Sequence, residues 1–328
     1  MNRIILLAGF LLITACHGTE PSPPERVRIT FSATGGTRSD TDGDIRRWAL
    51  LLFCDGKLAD YGFSDSAEPI TRTVQAAAYT AFAVANYPEN GFRPESFLRI
   101  SDLTERTVDL ADHTADAPVM CGRRDLVLPA GADGVQPIAV ERLVCRADIR
   151  KVSVDFTDPT LAARQFVLKS VFLTNCLRTN RYGSDYSREQ VPDAEAFWYN
   201  RMGPAPESPG SLTVNKIDAV ISTDRPYSSP HSFLYHPNPT AAEQDTRAET
   251  WSARCTRLVI EAQIGDRTCF YPVTLPVLRR NQTCVIDEVV IRRAGSPDPE
   301  QEIPEAVEIV FSTSVQPWEQ QYHDQDAS

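Results

Sequence analysis

The chain has 328 residues, of which 42% are hydrophobic and 23% charged, with a formal net charge of −11. That length corresponds to two domains at roughly 100 to 200 residues each. The acidic excess opposes binding to a phosphate backbone, which needs clustered cations, so nucleic acid is set aside as a partner.

The opening segment, MNRIILLAGFLLITACHG, places one early cation, Arg3, before an apolar run from Ile4 to Ile13, followed by Thr14, Ala15 and Cys16. A bilayer-spanning helix takes roughly 20 apolar residues, so the shorter run reads as a secretory signal over residues 1–15. Ile13-Thr14-Ala15-Cys16 is similar to a bacterial lipobox, and Cys16 is expected to become the acylated, palmitate-bearing first residue of the exported chain. Residues 16–24, rich in proline, then form an extended lipidated tether. No later stretch is apolar for a spanning length.

The first strand follows in ERVRITFSAT, where Val27, Ile29, Phe31 and Ala33 share one face by strict alternation. After it, GGTRSDTDGDIRR is an exposed connection carrying Arg38, Arg46 and Arg47, open to a trypsin-like protease. Within it Asp40, Asp42 and Asp44, with Gly43, have the spacing of the front half of a calcium loop. The bidentate glutamate that completes such a loop is missing, since position 51 is Leu, so a solvated acidic loop is expected and no metal site.

Further short strands recur as WALLLFCDG, AAYTAFAVAN, QPIAVERLVCRADIRKVSVDF, RQFVLKSVFLTN, LTVNKIDAVIS, TRLVIEAQIG, TCFYPVTL and TCVIDEVVIRR, with Pro, Gly, Asn and Asp between them. Many short strands at this spacing predict an all-β chain of sandwich type. PESFLRISDL predicts one short helix with Pro94 in its first turn. DFTDPTLAAR, around Asp158 and Pro159, is the expected junction, dividing the chain into domains at 25–157 and 158–328, each long enough for its own core. Ser184 to Ser211, rich in Pro, Ser and charge, is expected to be a long surface loop.

Of eight cysteines, Cys16 is assigned to lipid, leaving Cys54, Cys121, Cys145, Cys176, Cys255, Cys269 and Cys284. None forms a CxxC pair, which removes support for zinc. An exported chain permits disulfides, and Cys269 and Cys284 flank an expected hairpin, TCFYPVTLPVLRRNQTCVID, either facing each other as a disulfide or lying as separate buried thiols. The five histidines, His17, His113, His231, His236 and His323, accompany no GxSxG elbow, HExxH helix or GxxxxGK loop. No catalytic residue, cofactor or enzymatic activity is therefore assigned.

The chain closes on VEIVFSTSVQPW, residues 307–318. Val307, Ile309, Phe311, Thr313 and Val315 share one face, Trp318 ends the run, and only Val310 is out of register. So regular a strand is unusual at a terminus, where chains fray.

The order of these segments resembles the fimbrillin family, the type V pilus subunits of Bacteroidetes bacteria, over nearly the whole chain. The resemblance is carried by the lipobox at Cys16, RWALLLFCDGKL, YTAFAVANYP, APVMCGR with Cys121 at the family's serine position, VERLVCRADIRKVSVDF, SFLYHPNPT, TRLVIEAQIGDRTCFYPVTL, LRRNQTCVIDEVVIRRAGSPDPE and the closing FSTSVQPW. Asp148 with Arg150-Lys151 departs from the family's Ala-Lys pair. The resemblance implies two tandem transthyretin-like β-sandwich domains and export through the periplasm as a lipoprotein to the outer membrane. It also implies cleavage by an arginine-specific protease in the first connection, at Arg38 with Arg46 and Arg47 as alternatives. The first strand then leaves, and a terminal donor strand from a neighbouring fimbrial subunit fills its place. Lipid-retaining anchor or tip roles are the alternatives within the family; a monomeric surface lipoprotein binding a glycan or host protein is the alternative outside it.

Overall fold

The computed structural model describes residues 25–35, 45–203, 210, 212–242, 251–303, 305–311 and 316–317. The chain is all-β, as the alternating runs predict, and its strands pack around two large cores and several smaller clusters.

The first body uses β1 (Arg26–Gly35), β2 (Trp48–Cys54), β3 (Lys57–Ser64), β4 (Ile70–Gln75), β5 (Ala77–Ala85), a short β6 (Thr107–Asp109), β7 (Met120–Leu128) and β8 (Val135–Arg142). Seven of these form one path in the order β3-β2-β5-β7-β8-β1-β4. The path folds over where β7 meets β8 at only two residue pairs, so that β8, β1 and β4 lie opposite β3, β2, β5 and β7. Val27, Ile29 and Phe31 pack there with Trp48, Leu50, Leu52, Tyr79, Ile138 and Val140. Strand β2 is apolar on both faces because both are covered: Ala49, Leu51 and Phe53 meet a second cluster with Phe82, Phe92, Phe97 and Leu103. A continuous apolar run of this length is the signature of such a doubly covered strand. Asp55 and Gly56, both at positive φ, make the tight hairpin turn from β2 to β3.

The expected single helix at PESFLRISDL is two pieces, a 3-10 turn at Pro94–Ser96 and α1 (Ile100–Thr104). Arg99 between them is extended, and its N–H donates to Asp102 Oδ2 at 2.8 Å, so the helix starts afresh there.

The second body uses β9 (Cys145–Ile149), β10 (Val152–Val154), β11 (Phe166–Thr174), the short β12 (Cys176–Leu177), β13 (Thr179–Arg181) and β14 (Trp198–Tyr199), then β15 (Val214–Ile221), β16 (His231–Tyr235), β17 (Arg257–Ile264), β18 (Arg267–Thr274), β19 (Gln282–Ile291), β20 (Val307–Phe311) and β21 (Gln316–Pro317). One sheet runs β15-β11-β17-β18; the other has β16, β9 and β10, β19, and β20 with β21. Leu168, Val171, Leu258, Ile260, Cys269, Tyr271, Cys284, Ile286 and Val289 share the core.

Three expectations are corrected here. The division placed after residue 157 lies downstream of the change of sheet, because β9 and β10 pair in parallel with β19 and so build the second body. The expected hairpin around Cys269 and Cys284 does not form. Strand β18 pairs with β17 and β19 with β9, β10 and β20, so the two cysteines sit in different sheets and both are buried free thiols. Asp148, the departure from the family pattern, is almost buried and is held by Arg146 Nε at 2.6 Å. The segment expected as a surface loop from Ser184 onward instead buries Tyr186, Val191 and Trp198 against Leu177 and Ala253.

The two bodies are laced together. Strands β6 and β13 pair in antiparallel register, Arg178 Nε donates to Asp109 Oδ2 at 2.7 Å, and Arg142 Nη1 donates to Asn281 Oδ1 at 3.0 Å. The His113 and His236 rings meet edge to face with centroids 5.1 Å apart. Both are fully buried, and burial pushes His236 down to about 4 and His113 well below its ordinary value.

Candidate functional site

Strands β1 and β20 occupy different places in their sheets. Strand β1 is an interior strand: residues Arg26–Phe31 pair antiparallel with β4, and Thr30–Gly35 pair parallel with β8. Its alternation explains its depth, since Val27, Ile29 and Phe31 are at most 2% exposed while Arg26 and Arg28 between them are exposed. Ala33 is half-buried and packs at the rim of the same core. At roughly 1.5–3 kcal/mol for each large apolar side chain, the three buried ones contribute on the order of 5–9 kcal/mol of gross burial. Taking β1 away leaves an apolar trench between β4 and β8 and bares the backbone of both.

The connection that follows β1 contains Arg38 and the Asp40, Asp42 and Asp44 triplet, all outside the described residues. Arg46 and Arg47, the alternative cleavage positions, are already engaged. Arg46 pairs with Asp116, and its backbone N–H donates to Asn86 Oδ1 at 2.9 Å. Arg47 Nη2 donates to Glu89 at 2.8 Å, and its carbonyl accepts from the Asn86 N–H at 2.9 Å. A protease must take hold of several residues of extended backbone, and these two lead straight into β2.

Among the described residues β20 lies on an edge. It pairs antiparallel with β19 over Ile291 to Ile286, and β21 continues along the same side through Gln316 and Pro317. Val307 packs against the second core, whereas Glu308 is exposed and holds Arg292, which also reaches Asp155. Pairings are described for Ile309 and Phe311; Thr313, Val315, Trp318 and Cys16 lie outside the described residues. The root of this strand, Ala306 and Val307, borders a cavity of about 350 Å³ lined also by Tyr271, Val273 and Ile303. Glu305, just before it, has a positive φ, an uncommon conformation for a non-glycine residue and a marker of a turn.

Sequence reading missed the side chains that flank the trench. Trp48 Nε1 donates to the Glu68 carbonyl at 3.0 Å, Arg72 donates to both Asp60 oxygens at 2.8 and 2.6 Å, and the Tyr79 hydroxyl donates to the Gln75 carbonyl at 3.0 Å. The Asp60 hydrogen bond holds the Arg72 guanidinium above its ordinary range. Their sequence signal was only an alternation in which polar residues look solvated. Among the described residues, no cluster of three His, Cys, Asp or Glu side chains has the geometry to hold a metal ion.

Solved structures share this architecture. A fimbrilin from Porphyromonas gingivalis aligns with a TM-score of 0.62 at 14% identity, over 87% of this chain and 96% of that one. The chain has a fimbrilin fold. A protein assigned to cell adhesion from Bacteroides eggerthii aligns with a TM-score of 0.67 at 15% identity, over 88% of this chain and 96% of that one. A tip fimbrial protein from Porphyromonas gingivalis, with its C-terminus truncated, aligns at 0.51 and 14% identity, over 88% and 98%. No protein-family model and no curated protein matches the sequence. The fimbrilin fold is thus preserved here at identities that leave few side chains in common.

Proposed function

We propose that this chain is a structural subunit of a bacterial surface fimbria that supports adhesion and has no enzymatic role. In this reading it is exported through the periplasm as a lipoprotein on Cys16 and held at the outer membrane. An arginine-specific protease cuts after Arg38, with Arg46 and Arg47 as poorer sites because of their contacts. The freed first strand leaves, and the strand 307–318 of a neighbouring subunit enters the trench between β4 and β8.

The observation that carries this reading is the placement of β1. It is the first strand of the described chain yet an interior one of its sheet, joined to the rest by a connection rich in arginine. An extended segment that supplies both a backbone ladder and alternating apolar side chains is what such a trench accepts. Lengths agree: β1 covers ten residues, and the closing run has five alternating positions in sequence with the spacing of Val27, Ile29, Phe31 and Ala33. A contact between unlike surfaces repeated head to tail gives an open filament. The fimbrial names of proteins with the same fold point the same way.

Treatment of the purified lipoprotein with an arginine-specific protease tests this. Ladders that survive mild detergent and collapse on boiling are expected from the intact chain, and none from a chain lacking residues 307–328. Arg38→Ala should accumulate lipidated, unassembled precursor. A cut protein that stays monomeric in size-exclusion chromatography, or ladders that persist in the deletion, would overturn the assignment.

A further inference from the structure

Strand β1 is the only strand that pairs with β4 among the described residues. When β1 leaves, β4 therefore has no ladder at all, and a strand with a bared backbone that buries only Ile70 and Val74 is free to shift into the trench unless something else holds it. Strand β8 is better placed. It keeps two residue pairs with β7 and the hydrogen bond from Arg124 Nη1 to the Pro137 carbonyl at 2.7 Å. Gly122 of β7 permits that approach, since a Cβ there would come 1.9 Å from the Ala139 carbonyl oxygen.

What remains on β4 is a row of side-chain contacts from the opposite layer. Trp48 of β2 reaches the carbonyl of Glu68 just before the strand, Asp60 of β3 takes Arg72 in its middle through two hydrogen bonds, and at its end, where β5 follows after Ala76 alone, Tyr79 makes a local hydrogen bond to the carbonyl of Gln75. Ile70 lies so close to Gly62 of β3 that a Cβ there would come 2.8 Å from its Cγ2, so the two layers also touch at this edge. None of these contacts involves β1.

We infer that the Arg72–Asp60 pair, with Trp48 and Tyr79 at the two ends, is a positioning device that holds β4 across the sandwich after β1 has gone and keeps the trench open at the width of one strand. Arg72 is the member on β4 itself, and its planar fork on the Asp60 carboxylate fixes angle as well as distance, which a single point contact does not. The segment such a trench takes is an extended one of this same chain, running parallel to β8 and antiparallel to β4 as β1 does. The use of the open trench for assembly rests on the strand-exchange reading above; the holding of β4 does not.

The test uses the full chain with the recognition sequence of a site-specific protease placed within residues 36–44. After cutting, mild denaturant releases the β1 fragment, which is separated, and the denaturant is removed. Binding of fluorescent synthetic peptides spanning residues 25–35 and 305–328 is then read by anisotropy. The wild-type cut chain should rebind the 25–35 peptide, and Arg72→Met should weaken that binding by at least about tenfold, equivalent to about 1.4 kcal/mol. Uncut Arg72→Met, whose β4 still has its ladder, should melt close to wild type. The double variant Arg72→Asp with Asp60→Arg should regain binding. Equal binding by the wild-type and Arg72→Met cut chains overturns the inference, and so does a wild-type cut chain that fails to rebind its own first strand. If the wild-type cut chain takes the 25–35 peptide and refuses the 305–328 peptide, the strand-exchange reading fails and the positioning role stands.

Discussion

Strands β1 and β20 begin from the same sequence pattern and end in opposite situations. Each alternates apolar and polar residues near one end of the chain. Strand β1 is laddered on two sides, parallel on one and antiparallel on the other, and buries Phe31 completely. Among the described residues strand β20 is laddered on one side only, and its root borders a cavity. The difference teaches that amphipathic alternation specifies a face, not a position in the sheet. An interior strand is costly to remove and leaves a shaped vacancy; an edge strand is released at the cost of one ladder. An interior strand and an edge strand built on the same alternation are unequal surfaces, and the strand-exchange reading proposed above needs such a pair for a head-to-tail contact.

Single truncations should break or sharpen that contrast. Phe31→Ala removes a fully buried aromatic from the core of the first body and is expected to cost about 3–5 kcal/mol. Val307→Ala, at a half-buried edge position, should cost no more than about 1 kcal/mol. Urea unfolding of the uncut chain gives both values, and comparable losses would mean that β20 is as integral to the fold as β1.

The joint between the two bodies adds a pH term that belongs to neither strand. His113 and His236 are buried and neutral, with folded values below the unfolded one, so the unfolded chain binds more protons on acidification. The contribution of His236 is complete above the unfolded value of about 6.5 and is lost as pH falls through that value towards about 4, and that of His113 has the same sign. The melting temperature should drop across that window, and the drop should shrink in His236→Leu. At one pKa unit per about 1.4 kcal/mol, His236 alone accounts for a loss on the order of 3 kcal/mol. A melting temperature that is flat over the window would show that the ring pair is not sealed from water.

The smallest effect is expected at the exposed end of β20. Arg292 holds Glu308 and Asp155 at the surface, where ion pairs gain little over their hydrated state. Glu308→Gln should leave the melting midpoint of the uncut chain where it is. A clear fall would make this pair a latch on the tail and reduce the contrast with β1.

Much of the molecule was legible in the residues. Period-two alternation at Val27, Ile29 and Phe31, the continuous apolar run Trp48–Phe53 and the Asp55-Gly56 turn are local consequences of strand geometry and backbone sterics. The failures share one cause. TCFYPVTL and TCVIDEVVIRR look like the arms of a hairpin because they are adjacent in sequence, yet they cross from one sheet to the other and carry Cys269 and Cys284 apart. Residues 145–154 sit upstream of a plausible linker but pair with strands far downstream. Arg72 and Asp60 stand 12 positions apart in the chain, and only the closure of β3 towards β4 brings them together.

By itself, then, the sequence determined which segments are extended and which face of each is apolar, because these depend on neighbours one or two positions away. Only the tertiary structure decided that β1 is interior and β20 is an edge, that β4 depends on β1 for its ladder, and which side chains stand across the sandwich from it. Strand pairing joins residues tens of positions apart through identical backbone groups, and nothing in a local pattern says which partner wins until the whole core closes.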